Sequence, residues 1–146
     1  MNGKKFTAKA MCLFVHKKKL LLYEAHWEGQ HFYRPPGGHI EHGEYAHQAV
    51  VREVKEEIGA KIKNVELWRV IENIFATKEK LRHEYVFCFT ADFVDKKFYD
   101  QKQIEAFEDD RKQLLCWYSK EDVVKHKMFV VPKGILDVLW AQILNS

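Results

Sequence analysis

The sequence predicts one mixed α/β domain in which strands are flanked by two or three helices. Three observations carry this prediction: paired apolar segments with strand character, an amphipathic helix in the middle of the chain, and an apolar helical stripe near its end. The length of 146 residues suits one ordinary hydrophobic core and is too short for two typical domains. We therefore assign residues 1–146 to a single domain.

Composition and charge exclude several classes of protein. Apolar residues make up 47% of the chain and charged residues 31%, which is globular composition. A net charge of +3 suits a polyphosphate ligand but is too small to argue for nucleic acid. No apolar run approaches the ~20 residues of a membrane span, and no signal-peptide core follows the charged N-terminus. We expect a cytoplasmic protein without a membrane partner.

The cysteines give a second indication of the compartment. Cys12, Cys88 and Cys116 lie far apart, inside apolar segments and without metal-ligand spacing. Such an odd, scattered set predicts buried, reduced thiols and not a disulfide framework or a zinc site.

The first third of the chain has strand character interrupted by turns. Strands are predicted at 6–16 and 20–25, with a polar turn at 17–19 between them and a loop at 26–32. Residues 33–38 contain two prolines and two glycines, which exclude a regular helix or a central strand.

The best helix candidate spans residues 44–58. Its apolar side chains fall on one face at helical spacing, and Gly59 is placed to end the helix. The predicted apolar face consists of Ala46, Val50, Val51, Val54 and Ile58.

The second half of the chain predicts strands first and helices last. Strands are expected at 65–77, 81–93 and 113–118, with a polar, exposed loop at 95–112. Ser119 and Asp122 resemble the capping pair of a short helix, and Pro132 fits the start of a final helix. The apolar stripe of that final helix comprises Ile135, Leu136, Leu139, Trp140 and Ile143.

The central helix carries clustered acids beside its apolar face. Glu53, Glu56 and Glu57 stand at positions i, i+3 and i+4, so their carboxylates project from one side. Their mutual repulsion would be removed by a divalent cation, and hard oxygen ligands suit Mg²⁺ or Mn²⁺. Glu44, at the helix start, also favours the helix dipole and is within reach of the same cation. A solvated acidic face is the alternative that this spacing leaves open.

The sequence around these acids decides between the two interpretations. Residues 38–60 read GHIEHGEYAHQAVVREVKEEIGA, which resembles the Nudix box. Seven specified residues fall in register, an agreement expected by chance with a probability on the order of 10⁻⁹. Ala60, where the family usually has a larger aliphatic residue, is the one departure. The positions in register are Gly38, Glu44, Arg52, Glu53, Glu56, Glu57 and Gly59.

The resemblance implies a fold and a set of roles. It implies an α/β/α sandwich with a mixed sheet flanked by helices, in which the box forms a metal site. Glu53 and Glu57 would be the principal ligands of Mg²⁺, with Glu56 a further ligand or the general base. The backbone carbonyl near Gly37 would add a ligand, and Arg52 would orient the glutamates.

Other residues are weaker candidates for the same site. Glu105 and Glu108 are candidates for a base recruited from outside the box. The candidates for substrate contact are Trp27, Arg34, Gly38, His39 and Glu44, together with Glu105 and Glu108.

The expected activity is hydrolysis of a phosphoanhydride bond in a nucleoside diphosphate linked to another group. Among such small-molecule substrates we favour a nucleoside triphosphate, because the chain is short and shows no added recognition domain. Two alternatives remain at this point: a catalytically silent nucleotide- or ADP-ribose-sensing module, and a pyrophosphohydrolase of RNA 5′ ends. A homodimer is compatible with the sequence, although no motif indicates one.

Overall fold

The computed structural model describes residues 5–27, 29–108 and 110–141, apart from the side chain of Trp27. The strands within these ranges are β1 (Phe6–Leu13), β2 (Val15–His16), β3 (Lys19–Trp27), β4 (Gln30–Arg34), β5 (Gly37–His39), β6 (Ile62–Ala76), β7 (Leu81–Phe93), β8 (Gln103–Glu108) and β9 (Arg111–Ser119). The helices are α1 (Ala46–Ile58), α2 (Lys97–Asp100), α3 (Lys120–Lys125) and α4 (Ile135–Leu139).

The strands form two sheets. One is mixed, with the order β5-β1-β7-β6, in which β1 runs parallel to β7 and the other pairs are antiparallel. The other has the order β2-β3-β9-β8, with β4 also paired to β3, and is antiparallel throughout. The mixed α/β class predicted from the sequence is confirmed, and the strands are divided between two sheets.

Strand β1 lies between two hydrophobic clusters, which explains why four consecutive residues of it are buried. Ala10 and Cys12 point into a cluster that includes Val50 and Val54 of α1. The alternating residues point into a second cluster, formed with α3 and α4. A strand covered on both faces reads as a continuous apolar run because both sides of its pleat are buried. The helices therefore flank the strands on both sides.

Helix α1 matches its prediction closely, with a start two residues later than expected. The backbone N–H of Tyr45 donates to the Gln48 side chain at 3.0 Å. This hydrogen bond gives a partner to the N–H group that lies just before the first turn. Gly59 has φ of 76° and ends the helix in the left-handed conformation, as predicted. Val51 was wrongly assigned to the apolar face, since it is 41% exposed and Ala49 is buried in its place.

The loop predicted at 26–32 is wrong, because β3 and β4 continue through it as a hairpin. His26 pairs with His31 and Trp27 with Gln30. Gly29, with φ of 77°, supplies the tight turn. The side chains of His26, Gln30 and His31 are polar and exposed, and they concealed the strand character of this end of the hairpin.

The loop predicted at 95–112 is also wrong. Its first part forms the short helix α2, and residues 103–108 form β8, which pairs with β9. Only Ile104 and Ala106 of β8 are buried, so the alternation was too short to distinguish from a polar loop. The predicted strand at 113–118 is confirmed within β9.

The two C-terminal helices largely agree with the sequence patterns that predicted them. Ser119 and Asp122 form the expected capping box, with hydrogen bonds of 3.1 Å and 2.8 Å. The final helix begins at Ile135, three residues after Pro132, and buries the predicted Leu139. Ile143 lies outside the described residues.

The three cysteines are free, and Cys12 and Cys88 are buried as predicted, whereas Cys116 is only half-buried. Burial raises the pKa of the Cys88 thiol to about 12, so this group is an inert thiol at neutral pH. Within the described ranges, no helix combines the length and the apolar character needed to cross a membrane.

Candidate active site

The two glycines of β5 allow close packing between the end of the Pro-Pro-Gly-Gly segment and its neighbours. Gly37 pairs with Met11 of β1 and has φ of 148°, and a Cβ atom there would collide with the carbonyl oxygen of Ala10. A Cβ atom on Gly38 would lie 2.6 Å from a carboxylate oxygen of Glu53. Glycine at 38 thus leaves the space that the Glu53 carboxylate fills.

Arg52 connects the acids of α1 with the segment that precedes the helix. Its Nε and Nη2 atoms donate to the two carboxylate oxygens of Glu44 at 2.8 Å and 2.9 Å, a bidentate pair. Its Nη1 atom donates to Glu53 at 2.9 Å and to Glu56 at 3.2 Å. Nη2 also donates to the His39 carbonyl oxygen at 3.1 Å. Arg52 therefore fixes three carboxylates and one backbone carbonyl relative to each other.

Glu44 is held by Arg52 and does not lie in the first turn of α1. The hydrogen bonds from Arg52 and from the backbone N–H of Glu41 hold the pKa of the Glu44 carboxyl at about 2. Glu44 is consequently a permanent anion at neutral pH, and its partner is the guanidinium group.

Glu57 is the buried acid of the site. Only 4% of the residue is exposed, although it carries a carboxyl group. The Tyr23 hydroxyl donates to it at 3.1 Å, and the Glu53 carboxyl is within hydrogen-bonding distance. Burial and the hydrogen bond to Glu53 raise the pKa of Glu57 to about 8, against the opposing charge of Arg34.

These two acids suit a hard divalent cation. Glu53 and Glu57 place carboxylate oxygens together in a poorly hydrated position, where two negative charges are costly without a cation between them. The Gly37 carbonyl oxygen accepts a hydrogen bond of 3.3 Å from the Arg34 guanidinium, and the positive charge of Arg34 opposes the rise in the pKa of Glu57. Glu56 differs, since its side chain is 60% exposed and its described partner is Arg52.

Arg34 and Glu108 meet in the same region, although 74 positions separate them in sequence. Arg34 Nη2 lies 2.8 Å from Glu108 Oε2, and the guanidinium carbon lies 4.2 Å from the centre of the Tyr23 ring. Glu108 shares the face of β8 that carries Ile104 and Ala106, which pack towards α1.

The other candidate acid of β8 lies elsewhere. Glu105 is on the opposite, exposed face of the strand and pairs with Lys112 at 2.8 Å. The structure therefore brings Glu108 to the site and does not bring Glu105 there.

The remaining substrate candidates are less closely tied to the acids. The His39 side chain is exposed, and desolvation and the nearby Lys9 ammonium group lower the pKa of its imidazole. The backbone of Trp27 pairs with Gln30 near the tip of the hairpin, and its side chain lies outside the described atoms.

Tyr23 is the residue of this site that the sequence did not single out. It lies in the middle of β3, where an aromatic residue is typical of a core, and it is only 1% exposed. Its contact with Glu57 spans 34 residues of sequence and left no local signal.

The chain is similar in sequence and in fold to known proteins. The sequence model of the NUDIX domain matches residues 5–138. The fold is similar to that of a MutT NUDIX hydrolase from Burkholderia pseudomallei, with a TM-score of 0.66 and 22% identity, covering 82% of this chain and 87% of that one. A NUDIX hydrolase from Nitrosomonas europaea is similar with a TM-score of 0.62 and 23% identity, covering 92% and 86% of the two chains.

A third similar structure is the MutT protein of Bacillus halodurans, with a TM-score of 0.62 and 23% identity, covering 96% of this chain and 83% of that one. At these identities the structures show a common fold. The domain match covers most of the chain and includes every residue of the box. The chain therefore belongs to the Nudix family.

Proposed function

We propose that this chain hydrolyses a phosphoanhydride bond of a nucleoside triphosphate, or of a related nucleoside diphosphate linked to another group, with Mg²⁺ as cofactor. Mn²⁺ would substitute for it. The observation that carries the proposal is the close approach of the Glu53 and Glu57 carboxyl groups, with Glu53 seated against Gly38 and held by Arg52. This arrangement supplies the hard oxygen ligands that Mg²⁺ prefers.

Glu53, Glu57 and the Gly37 carbonyl are the proposed ligands of the cation. When bound there, the cation would neutralise charge on phosphate oxygens and lower the pKa of a coordinated water. Arg52 keeps Glu53 in position, and Tyr23 does the same for Glu57 through the hydrogen bond that its hydroxyl donates. Arg34 adds positive charge beside Glu57 and suits a phosphate group of the substrate.

Two acids are candidates for the general base, and the structure favours neither by contact with a substrate. Glu56 is exposed on the same helix turn as the proposed ligands. Glu108 approaches from β8 and is held by Arg34 at 2.8 Å. Either position allows a carboxylate to accept the proton of an attacking water.

The wider proposal concerns substrate class and location. The site acids and Arg34 suit a small nucleotide polyphosphate, and the net charge of +3 gives no specific support to nucleic acid as substrate. Three free thiols are compatible with the reducing cytoplasm. A homodimer remains a hypothesis, which light scattering would test.

The test is release of phosphate or pyrophosphate from nucleoside triphosphates, ADP-ribose, nucleotide sugars, dinucleoside polyphosphates and 5′-triphosphorylated RNA, with and without Mg²⁺. Glu57→Gln keeps the shape of the side chain but removes the charge, and we expect it to lose most turnover. Glu105→Gln is the matched control, because Glu105 is exposed and paired with Lys112 outside the site. Turnover that needs no divalent cation, or an active Glu57→Gln protein, would contradict the proposal.

A further inference from the structure

The β3–β4 hairpin carries a second group of metal-ligating side chains, on the face opposite to the proposed catalytic site. The pair Tyr23 and Arg34 lies on the face directed at Glu57. Side chains alternate along each strand, so every second pair of residues projects from the other face of the hairpin. The residues on that other face are Glu24, Tyr33, His26 and His31.

Three of these side chains direct ligand atoms at one point. His31 Nε2 lies 3.0 Å from Glu24 Oε2, and His26 Nε2 lies 3.3 Å from Glu24 Oε1. One ligand atom from each of the three residues can be chosen so that all lie within 4.8 Å of one another. The two imidazole rings are stacked with their centres 4.6 Å apart.

We propose that Glu24, His26 and His31 form a binding site for a divalent transition metal ion such as Zn²⁺, separate from the Mg²⁺ site of α1. Ligand bonds of roughly 2.0–2.1 Å place neighbouring ligand atoms about 3 Å apart around such an ion. The nitrogen–oxygen separations of 3.0 Å and 3.3 Å, one to each oxygen of Glu24, are close to this value, and one ligand atom from each residue lies within 4.8 Å of the other two. The histidine side chains are 67% and 47% exposed, so small rotations can bring the two nitrogens onto one ion.

The chemistry of the ligands separates this site from the glutamate site. Two imidazoles and one carboxylate suit Zn²⁺, Ni²⁺ or Cu²⁺, whereas a set of carboxylate and carbonyl oxygens suits Mg²⁺. The three ligands leave positions open for water or for a further ligand, because they all come from one side of the hairpin.

Tyr33 is a positioning residue for the proposed site. Its hydroxyl donates to Glu24 Oε2 at 3.2 Å, which orients the carboxylate towards the histidines. Partial burial would raise the pKa of the Glu24 carboxyl, but hydrogen bonds from His31, Tyr33 and His26 together hold it below its ordinary value. The carboxylate is therefore ionised and ready to act as a ligand.

A bound ion would connect β3 with β4 across the hairpin. Because the ion binds the paired strands and not the unfolded chain, it stabilises the folded protein by mass action. Tyr23 and Arg34 sit on the opposite face of the same strands, so the ion would also hold the hairpin that carries them.

The test is calorimetric titration of the intact protein with Zn²⁺ in saturating Mg²⁺, with a thermal melt in parallel. We expect one Zn²⁺ per chain in wild type and a higher midpoint of unfolding, each lost in His26→Asn/His31→Asn. The single variants and Tyr33→Phe should weaken binding by about tenfold or more. His126→Asn, which changes an exposed histidine outside the cluster, should bind as wild type does.

The same titration in Glu57→Gln separates this inference from the proposed function, since that variant leaves the cluster unchanged. Retained Zn²⁺ binding there supports an independent site. Equal binding of Zn²⁺ by wild type and by His26→Asn/His31→Asn, or loss of binding in Glu57→Gln, would overturn the inference.

Discussion

The Tyr23 hydroxyl donates a hydrogen bond of 3.1 Å to the buried Glu57 carboxyl group, which joins the middle of β3 to the acidic side of α1. A buried acid with one fixed donor has few alternatives if that donor is removed, because little water reaches it. Tyr23→Phe keeps the ring and deletes only the donor. We expect a loss of about 1 kcal/mol in the free energy of unfolding and a lower kcat.

The control for that prediction is Tyr85→Phe, which removes a hydroxyl bonded to the exposed Glu72 at 3.0 Å. A hydrogen bond that water can replace should contribute little, within about 0.5 kcal/mol. Denaturant unfolding and steady-state kinetics on both variants give the comparison. Equal effects of the two substitutions would show that Tyr23 does not position Glu57.

Arg52→Lys should lower activity while keeping the positive charge. Lysine cannot reproduce the planar contact with both oxygens of Glu44 while it also reaches Glu53 and Glu56. With Glu53 free to rotate, we expect kcat/KM to fall roughly tenfold to hundredfold and the Mg²⁺ requirement to rise. Arg111→Lys, at an exposed position at the start of β9, is the matched control. An Arg52→Lys enzyme with the kinetics of Arg111→Lys would remove the orienting role.

Substitution of the two adjacent glycines of β5 should affect stability and activity differently. In Gly38→Ala the new Cβ meets the end of the flexible Glu53 side chain, which can move aside at small cost in stability. Activity should nevertheless fall sharply, because the carboxylate leaves its position. In Gly37→Ala the Cβ meets the backbone of Ala10 and Met11, at φ of 148°.

We therefore expect Gly37→Ala to be destabilised by about 3 kcal/mol or more and Gly38→Ala by less than about 1 kcal/mol. Chemical denaturation measures the stability of both variants, and kcat/KM measures their activity. A stable Gly37→Ala protein, or a fully active Gly38→Ala protein, would contradict the packing described for this segment.

Local patterns predicted the parts of the site that lie within one helix. The apolar stripe and the glycine at 59 predicted α1, and the spacing of Glu53, Glu56 and Glu57 predicted its acidic side, because helical geometry is set by neighbours three and four positions apart. The same spacing could not reveal that Glu57 is buried and Glu56 exposed, which depends on how β3 and β8 pack against the helix.

Long-range contacts account for what the sequence did not reveal. The approach of Glu108 to Arg34 depends on β8, whose inward face has only two apolar residues before Glu108, so the segment resembled a polar loop. The outer part of the β3–β4 hairpin was hidden in the same way, because the residues that pair there include two solvent-facing histidines and a glutamine. Neither contact produces a periodic pattern of apolar residues from which it could be predicted in a single sequence.

The choice between Glu56 and Glu108 as general base is open to a direct test that uses the two faces of β8. Glu108→Gln changes the acid beside Arg34, whereas Glu105→Gln changes an acid on the same strand that faces solvent and Lys112. If Glu108 accepts the proton of the attacking water, Glu108→Gln should reduce kcat by about 10² to 10⁴ and flatten the acidic limb of its pH profile, with little change in KM. If Glu108 only holds Arg34 for the substrate, KM should rise and the pH profile should keep its shape.

The control variant Glu105→Gln should change neither kcat nor KM. A Glu108→Gln enzyme with wild-type kcat would leave Glu56, which is exposed on the turn between the proposed ligands, as the remaining candidate of the two.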